Sequence, residues 1–572
     1  MVNSRTTNIP LWVRIAPALT IAVLVGPVIA GLAGIALPAV GFAPLGGSSA
    51  FTLSAFARVT AEPGFFTSLW LAFWIGPVSA LISLTLVTGF AAAAAGTRSF
   101  AFVAGLLRPV LALPHAAAAF GLVYLVSPSG FLLRLVSPEL TGFSRPPDWL
   151  IVNDPMGLAL LAGLVLKEAP YLFLALTSAL QQADPRRADI ARALGHSRMA
   201  AWLHGVFPAV YAQMRLPIMA VIVFSSSVVD MAMILGPATP PLLSLRILGW
   251  INDPDFSQKS LAAAALVFQL GASGAGLVVW LAGERLVSGM ARRLAVSGIR
   301  LPGLPGVSML ARSGLVVVAL VVLAGIGLVA VNSVAGIWRF PDALPRGLNL
   351  TVWAERAPEL MNLTANTVLI GGLASLTALI AVMLCLENEY RSGITLSPRA
   401  KLVLYAPLLV PQIGFLPGLT VLLLRLGWDG SLLPVAFAHL VFVLPYTYLM
   451  LADPWNAFDT RYLDTARALG RSPDAALLTI RLPMLVGPIL VAFALGFAVS
   501  VAQYLPTLLI GGGRVPTITT EAVALSSGGN RRLIGAYALV QSLLPFLGFA
   551  LAAAVPALLW RDRRALRSGG VV

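Results

Sequence analysis

The stretch from Asp464 to Pro483, "DTARALGRSPDAALLTIRLP", decides how the rest of the chain is read. It is polar, basic and alanine-rich, and it lies between long apolar runs. An echo, "DIARALGHSRMAAWLHGVFP", runs from Asp189 to Pro208, 275 positions earlier (464 − 189). Both copies follow one local grammar. In the second, the Asp459 carboxylate can accept from the free backbone N–H groups of a short helix through "YLDTARAL". Gly470 then supplies the left-handed turn in which helices commonly end. Ser472-Pro473-Asp474 restarts a helix, with Ser as cap, Pro in the first turn and Asp near the positive end of the dipole. Pro483 opens the next apolar run. In the first copy Asp184-Pro185 start the segment, Gly195 breaks it, Ser197 restarts it and Pro208 closes it. The expected product is two short helices at an angle, leading into a long apolar helix. Small Ala191 and Ala466 would let another protein's backbone approach closely. An interfacial amphipathic helix pair would have the same composition. The duplication favours docking, because two equal sites suit a two-fold partner.

Composition sets the surroundings of these segments. The chain has 572 residues, of which 58% are hydrophobic and 11% charged, and its mean hydropathy is +0.89. Soluble globular chains carry about 25% charged residues, so the class is an all-α integral membrane protein. Helices are favoured over a barrel because the apolar runs are continuous, not alternating. Twelve spans are expected, near 15–38, 67–95, 101–126, 156–181, 208–236, 260–283, 314–334, 364–386, 402–426, 432–452, 483–511 and 533–560. The first follows Arg5 and Arg14 and is longer than the about 7–15 apolar residues of a secretory leader, so it reads as an uncleaved span. The lone cysteine, Cys385, excludes an intrachain disulfide and reads as a small buried hydrophobe.

The net charge of +15 is almost wholly arginine; Lys167, Lys259 and Lys401 are the lysines. With no soluble basic domain, nucleic acid is not a partner. The arginines mark sides instead. Arg285, Arg292, Arg293, Arg300 and Arg312 fall between spans six and seven, and Arg561, Arg563, Arg564 and Arg567 fall in the tail. Arg186, Arg187, Arg192 and Arg198, then Arg461, Arg467, Arg471 and Arg481, fall in the two echo segments. An even span count puts all of these and both termini on one side, the cytoplasmic side by the positive-inside rule. Arg531 and Arg532 are exceptions on the outer side.

Beyond the echo, "PYLFL" at 170–174 faces "PYTYL" at 445–449, and Ser225 and Gly236 face Ser500 and Gly511. Earlier, "LALPHAAAAFGL" at 111–122 pairs with "LLVPQIGFLPGL" at 408–419, at an offset of 297 (408 − 111). Both echo copies lie on the same side, so the repeat is parallel, about an axis along the membrane normal. The expected organisation is a first six-span domain over 1–283, a cytoplasmic linker over 284–313 containing "RLPGLPG", and a second six-span domain over 314–572.

The echo resembles the cytoplasmic EAA motif of MetI-like permease subunits of binding-protein-dependent ABC importers: Glu-Ala-Ala, three residues, Gly, nine residues, Ile-x-Leu-Pro. The second copy matches with Asp464, Thr465, Ala466, Gly470, Ile480, Leu482 and Pro483. The first is looser, with Asp189, Ile190, Ala191, Gly195 and Pro208, and lacks the Ile and Leu. Asp replaces the family's Glu in both. The resemblance covers nearly the whole chain. It implies that each loop is a coupling helix seated on a P-loop ATPase subunit, two copies in all. It also implies that an external, periplasmic binding protein delivers the solute, and that the chain lies in a bacterial inner membrane. This chain would supply both permease halves, as in fused permeases similar to the iron(III) and thiamine importers. Residues 500–532 look most like fused permeases of the thiamine type. ATP and magnesium would be held by the partner subunits, and no cofactor by this chain.

No Gly-x-x-x-x-Gly-Lys-Ser/Thr loop occurs, so the chain is not its own P-loop ATPase. Gly511-Gly512-Gly513 reads as an outer loop. His115, His196, His204 and His439 show neither metal-ligand spacing nor a catalytic pairing, and His115 and His439 read as hydrogen-bonded packing residues. No catalytic and no metal-binding residue is expected. The alternative is an ion-coupled twelve-span secondary transporter using Glu168 and Asp230, since ionisable groups at membrane depth are costly. Their second-half counterparts are Val443 and Leu505, and that of Lys167 is Phe442, so this polar set is one-sided. Glu168 could equally form a structural ion pair. The expected translocation path follows spans five and eleven, with Ser225, Ser226, Ser227, Asp230, Ser500, Gln503 and Tyr504, and Lys167 and Glu168 of span four are candidates beside it. Serines there can instead bond their own helix backbone.

Overall fold

The structure is a computed structural model that describes residues 9–42, 51–184, 186–300, 305–394, 397–428 and 430–561. Arg5, Pro185, residues 301–304 of the linker and Arg563, Arg564 and Arg567 lie outside the described residues.

The first half contains α1 (Leu11–Ala39), α2 (Ser54–Ala61), α3 (Phe65–Ala94), α4 (Arg98–Ala112), α5 (His115–Val126), α6 (Phe131–Val136) and α7 (Leu158–Gln181). It continues with α8 (Arg186–Ala193), α9 (Arg198–Gly205), α10 (Phe207–Ser226), α11 (Asp230–Leu235), α12 (Leu243–Asn252) and α13 (Phe256–Val296). The second half opens with α14 (Pro305–Val334). A two-stranded antiparallel ribbon follows, β1 (Ala335–Ile337) and β2 (Arg346–Leu348), pairing Ala335 with Leu348. Then come α15 (Thr351–Glu355), α16 (Ala357–Ser392), α17 (Pro398–Leu404), α18 (Ala406–Leu409), α19 (Leu416–Arg425) and α20 (Leu432–Asn456). The loop helices α21 (Arg461–Ala468), α22 (Pro473–Ala476) and α23 (Leu482–Met484) lead to α24 (Val486–Val501), α25 (Leu505–Gly511), α26 (Ile518–Ala524) and α27 (Arg531–Leu559).

All twelve expected apolar runs are helical, but they are not twelve unbroken spans. Among the described residues ten helices are long and apolar enough to cross a membrane, and the pair Pro473–Met484 and Val486–Val501, bent by 75°, makes an eleventh only if counted as one span. The ninth run, 402–426, falls into short pieces because Pro407, Pro411 and Pro417 each remove a backbone donor. Its counterpart, the third run, breaks once, at Pro114 between α4 and α5. Both ends of the expected linker are helical: α13 continues through Arg285, Arg292 and Arg293 to Val296, and α14 begins at Pro305. The loop expected over 335–363 holds the ribbon, α15 and the start of α16.

The repeat is visible in the packing. In the first half α3 packs on α7 and α10; in the second α16 packs on α20 and α24. The opening helices cross over. Helix α1 packs on α16 and α19 of the second half, and α14 packs on α3 and α5 of the first. Bare backbone makes both crossings possible, as is usual where membrane helices touch closely. A Cβ on Gly34 would sit 3.0 Å from Gly418 Cα, and one on Gly121 would sit 2.8 Å from Gly325 Cα. Gly121 and Gly418 are themselves related by the 297-residue offset.

Candidate functional site

The two echo segments fold as their sequences dictate, on the same end of the bundle. Asp459 Oδ1 accepts from the backbone N–H of Arg461 at 3.1 Å, and Asp184 Oδ1 accepts from that of Arg186 at 3.0 Å. The Arg461 side chain also donates to Asp459, at 2.9 Å through Nε. That side-chain bond first, then the backbone N–H, holds the Asp459 carboxyl below the usual carboxylate range. Gly195 and Gly470 make the turns at φ +93° and +82°, where any side chain would be strained. Ser472 Oγ accepts from Ala475 N at 3.2 Å and Ser197 Oγ from Ala200 N at 3.5 Å. Asp189 and Asp464 are exposed and face Arg192 and Arg467 one turn on, at 3.8 and 3.6 Å.

The structure corrects one expectation. Ala191 and Ala466 do not face outward: both are buried within their own loops. Ala466 packs with Leu463 and Ala476 beneath Tyr390, Phe458 and Ile480. The small size of Ala466 serves the close meeting of its two short helices. Sequence reading missed the outward-facing apolar groups, Leu194 at 63% and Leu469 at 80% exposure, each just before the turn glycine. The signal was present, since "ARALG" stands in both copies.

The loops are moored differently. In the second, Leu477–Arg481 forms a π-turn ahead of Pro483, and Arg481 points inward. Arg481 Nη1 donates to Glu387 at 3.0 Å and Nη2 to the Trp455 carbonyl at 2.9 Å, with the guanidinium 4.4 Å from the Trp455 ring. Glu387 also pairs with Arg391 at 2.7 Å, and Arg391 reaches Asp474 of the loop at 2.7 Å. In the first loop Arg198 donates to the Ala95 carbonyl at the end of α3, at 2.7 Å.

At membrane depth the expected path residues separate. Lys167 is buried and donates to the carbonyls of Val110 and Leu113, at 3.2 and 2.5 Å. It satisfies the helix end that Pro114 leaves open, which is a structural role. Glu168 lies 3.6 Å from His115 Nε2, and Asp230 is within electrostatic reach of the same histidine. Tyr171 and Tyr446, equivalent residues of the two halves, meet edge to face at 6.5 Å. Tyr504 Oη donates to Met233 Sδ across the halves at 3.3 Å, and Gln412 donates to Gln503 at 3.4 Å. The serines are mostly structural. Ser226 bonds Ser273 at 2.7 Å, and Ser227 bonds the Val223 carbonyl at 2.9 Å. Ser500 bonds His439 Nδ1 at 2.7 Å, while His439 Nε2 bonds Thr507 at 2.8 Å. His439 thereby splints the gap between α24 and α25, the packing role expected of it. Ser225 Oγ is buried with no hydrogen-bond partner among the described residues.

Equivalent bonds hold both broken spans. Ser244 donates to the Val228 carbonyl at 2.8 Å just beyond α10, and Thr519 to the Val501 carbonyl at 2.5 Å at the end of α24. Gln269 of α13 and Gln541 of α27 brace the same two places, at 3.1 Å to the Ser226 carbonyl and 3.0 Å to Thr519 Oγ1.

Apolar helices, a two-fold internal repeat and paired polar loops on one end define a multi-pass membrane protein of the permease class. A family model described as the binding-protein-dependent transport system inner membrane component matches residues 390–559. The inner membrane ABC transporter permease protein YnjC of Escherichia coli K12 is 31% identical over 471 residues, covering 80% of this chain and 82% of that protein. The spermidine/putrescine transport system permease PotC of Haemophilus influenzae is 24% identical over 172 residues, 30% of this chain and 65% of that protein. PotC of Escherichia coli K12 is 26% identical over 123 residues, 22% of this chain and 47% of that protein. The chain belongs to the ABC-type permeases of binding-protein-dependent transport systems. Such systems also comprise ATPase and substrate-binding components.

Proposed function

We propose that this chain supplies both permease halves of an ATP-driven importer, 1–283 and 314–572 joined by the 284–313 linker. The two loops α8–α9 and α21–α22 each seat one copy of a P-loop ATPase, which holds ATP and magnesium. The observation that carries this is the repeated loop itself. The same cap, turn glycine, second cap and exposed leucine recur 275 residues apart, on one end of the bundle. Asp189, Asp464, Leu194 and Leu469 form the docking surface. Ala191, Ala466, Gly195, Gly470, Ile480, Leu482, Pro208 and Pro483 shape the loop beneath it. The arginine bias supports a cytoplasmic position for the loops and both termini, with an external binding protein on the opposite face.

The solute passes along the seam between the halves. Glu168 and Asp230, with His115, Tyr171 and Tyr446, Gln503 and Tyr504, stand along that route. The solute belongs to the set that shares this architecture: thiamine-like, iron(III), polyamine or similar. Matches to two spermidine/putrescine permeases support keeping polyamines in that set.

Purification of the tagged chain from native membranes in mild detergent tests the reading. About two ATPase subunits per chain are expected, released by substitution at Gly470 and Asp464. A chain that purifies alone and transports on an ion gradient without ATP would overturn it.

A further inference from the structure

On the end of the bundle opposite the two loops lies a cavity of about 670 Å³, walled by both halves. Its size suits a small organic ligand. Most of its surface is apolar, with Tyr124, Asn153, Asn252, Ser526 and Ser527 as neutral polar groups and Arg531 as the one charged group. Arg531 is one of the two arginines that break the charge bias of the sequence, so its presence there needs a reason.

Part of the reason is structural. Arg531 donates from Nη1 to the Ser129 carbonyl at 3.0 Å and from Nη2 to the hydroxyls of Ser127 and Ser129. Its guanidinium lies 5.9 Å from the Tyr124 ring, and Tyr124 Oη donates to the Arg531 carbonyl at 2.9 Å. These bonds tie the second half to the first. They do not neutralise the charge, because every partner is a neutral oxygen. Among the described residues no carboxylate lies within ion-pair distance of Arg531. A second guanidinium, Arg134, converges on the same Ser129 carbonyl at 2.9 Å and is likewise bonded to carbonyls. A half-buried cation without a counter-ion is costly. Arginine has five donors, and these contacts leave Nε–H and one Nη1–H, which point to different sides of the guanidinium, so an anionic oxygen would accept one charge-assisted bond from either. Arg531 also opens α27, so the helix dipole adds to the positive potential.

We propose that this cavity is a binding site for an organic anion: a carboxylate or comparable oxyanion on an apolar body, its charged end on Arg531. The inference rests on the permease reading, in which the cavity is the outer mouth of the route, and within the proposed solute set it counts against a free polyamine. Met233 is part of its lining, and the Met233 sulfur accepts from Tyr504 of the other half, so a ligand there would lie beside a contact between the halves.

The test is titration of the full chain in lipid nanodiscs with three isosteric probes: benzoate, benzamide and benzylamine. Benzoate should bind saturably, benzamide about tenfold more weakly, and benzylamine not at all. Arg531→Gln should weaken benzoate by at least about tenfold and leave benzamide unchanged. Leu248→Trp, which fills the cavity without touching the arginine's bonds, should abolish binding of all probes while the chain keeps its helical circular dichroism. Absence of benzoate binding would overturn the proposal. So would benzylamine binding as well as benzoate, equal binding of all three, or full benzoate affinity in Arg531→Gln. ATPase co-purification is measured separately, so failure here would leave the coupling reading standing.

Discussion

Where the second loop turns into the membrane, the side chain at 481 is an arginine only 2% exposed, held between Glu387 and Trp455. At the matching position of the first loop stands Val206, buried among apolar neighbours. The turns above these residues are near-copies, with the same glycine, the same serine cap and the same outward leucine. Duplication has therefore kept the surface a partner would read, while the attachment to the bundle has diverged. A buried ion pair is no stronger than good apolar packing, because desolvation offsets most of the attraction. It does demand a single geometry, which apolar packing does not.

The largest expected effect follows from that difference. Arg481→Ala leaves Glu387 with Arg391 alone in a buried site and should cost about 3–5 kcal/mol. Val206→Ala removes two methyl groups and should cost about 2 kcal/mol. Thermal unfolding in detergent, with amide exchange over residues 461–485 and 186–210, measures both. Equal losses would mean that the charge network does not moor the second loop more specifically than the first is moored.

The turn glycines come next. Gly195→Ala and Gly470→Ala each place a side chain in the left-handed region, at about 1–2 kcal/mol. Space separates them. A Cβ at 195 would lie 3.2 Å from the Arg300 side chain, whereas at 470 nothing stands within 4 Å. Gly195→Ala should therefore lose more stability, and Arg300→Ala should bring the two closer. If Arg300→Ala changes nothing, the linker end does not press on the first turn.

The serine caps should show no asymmetry. Ser197→Ala and Ser472→Ala should each cost about 1 kcal/mol, read as faster amide exchange at Ala200 and Ala475. A clear difference would show that the shared grammar hides unequal loops.

The legibility of this chain followed the same division. The loops were readable because caps and turn glycines act locally, through backbone groups a few residues away. Helix class and repeat were readable because lipid forces every apolar run to satisfy its own backbone. What escaped was long-range. Nothing near Arg481 announces Glu387, 94 residues away. Nothing in α1 announces that it crosses to α19. The polar residues of spans five and eleven looked like a path, but Ser226 bonds Ser273 of a neighbouring helix, Ser227 bonds its own helix backbone and Ser500 bonds His439, because helix packing and a polar route both call for hydroxyls. The inward placement of Ala191 and Ala466 was missed because short helices in contact need small residues as much as a docking partner does.

The smallest expected effect on stability is also the sharpest test of the shared surface. Asp189 and Asp464 are exposed, and each faces an arginine one turn on at more than 3.5 Å. Pairs of that kind contribute about 0–0.5 kcal/mol, since solvent screens the attraction and both side chains lose freedom. Asp189→Asn and Asp464→Asn should therefore leave unfolding unchanged within error. Neither carboxylate is needed to hold its loop together, so any loss of ATPase co-purification from these variants comes from the docking surface itself. Equal losses from the two would mean that both loops offer the same surface despite their different moorings. Loss from Asp464→Asn alone would mean that the rigidly moored loop makes the stronger contact, and that the missing Ile and Leu of the first copy matter to its partner. Retention of two ATPase subunits by both variants would remove the carboxylates from the docking surface and leave Leu194 and Leu469 to carry it.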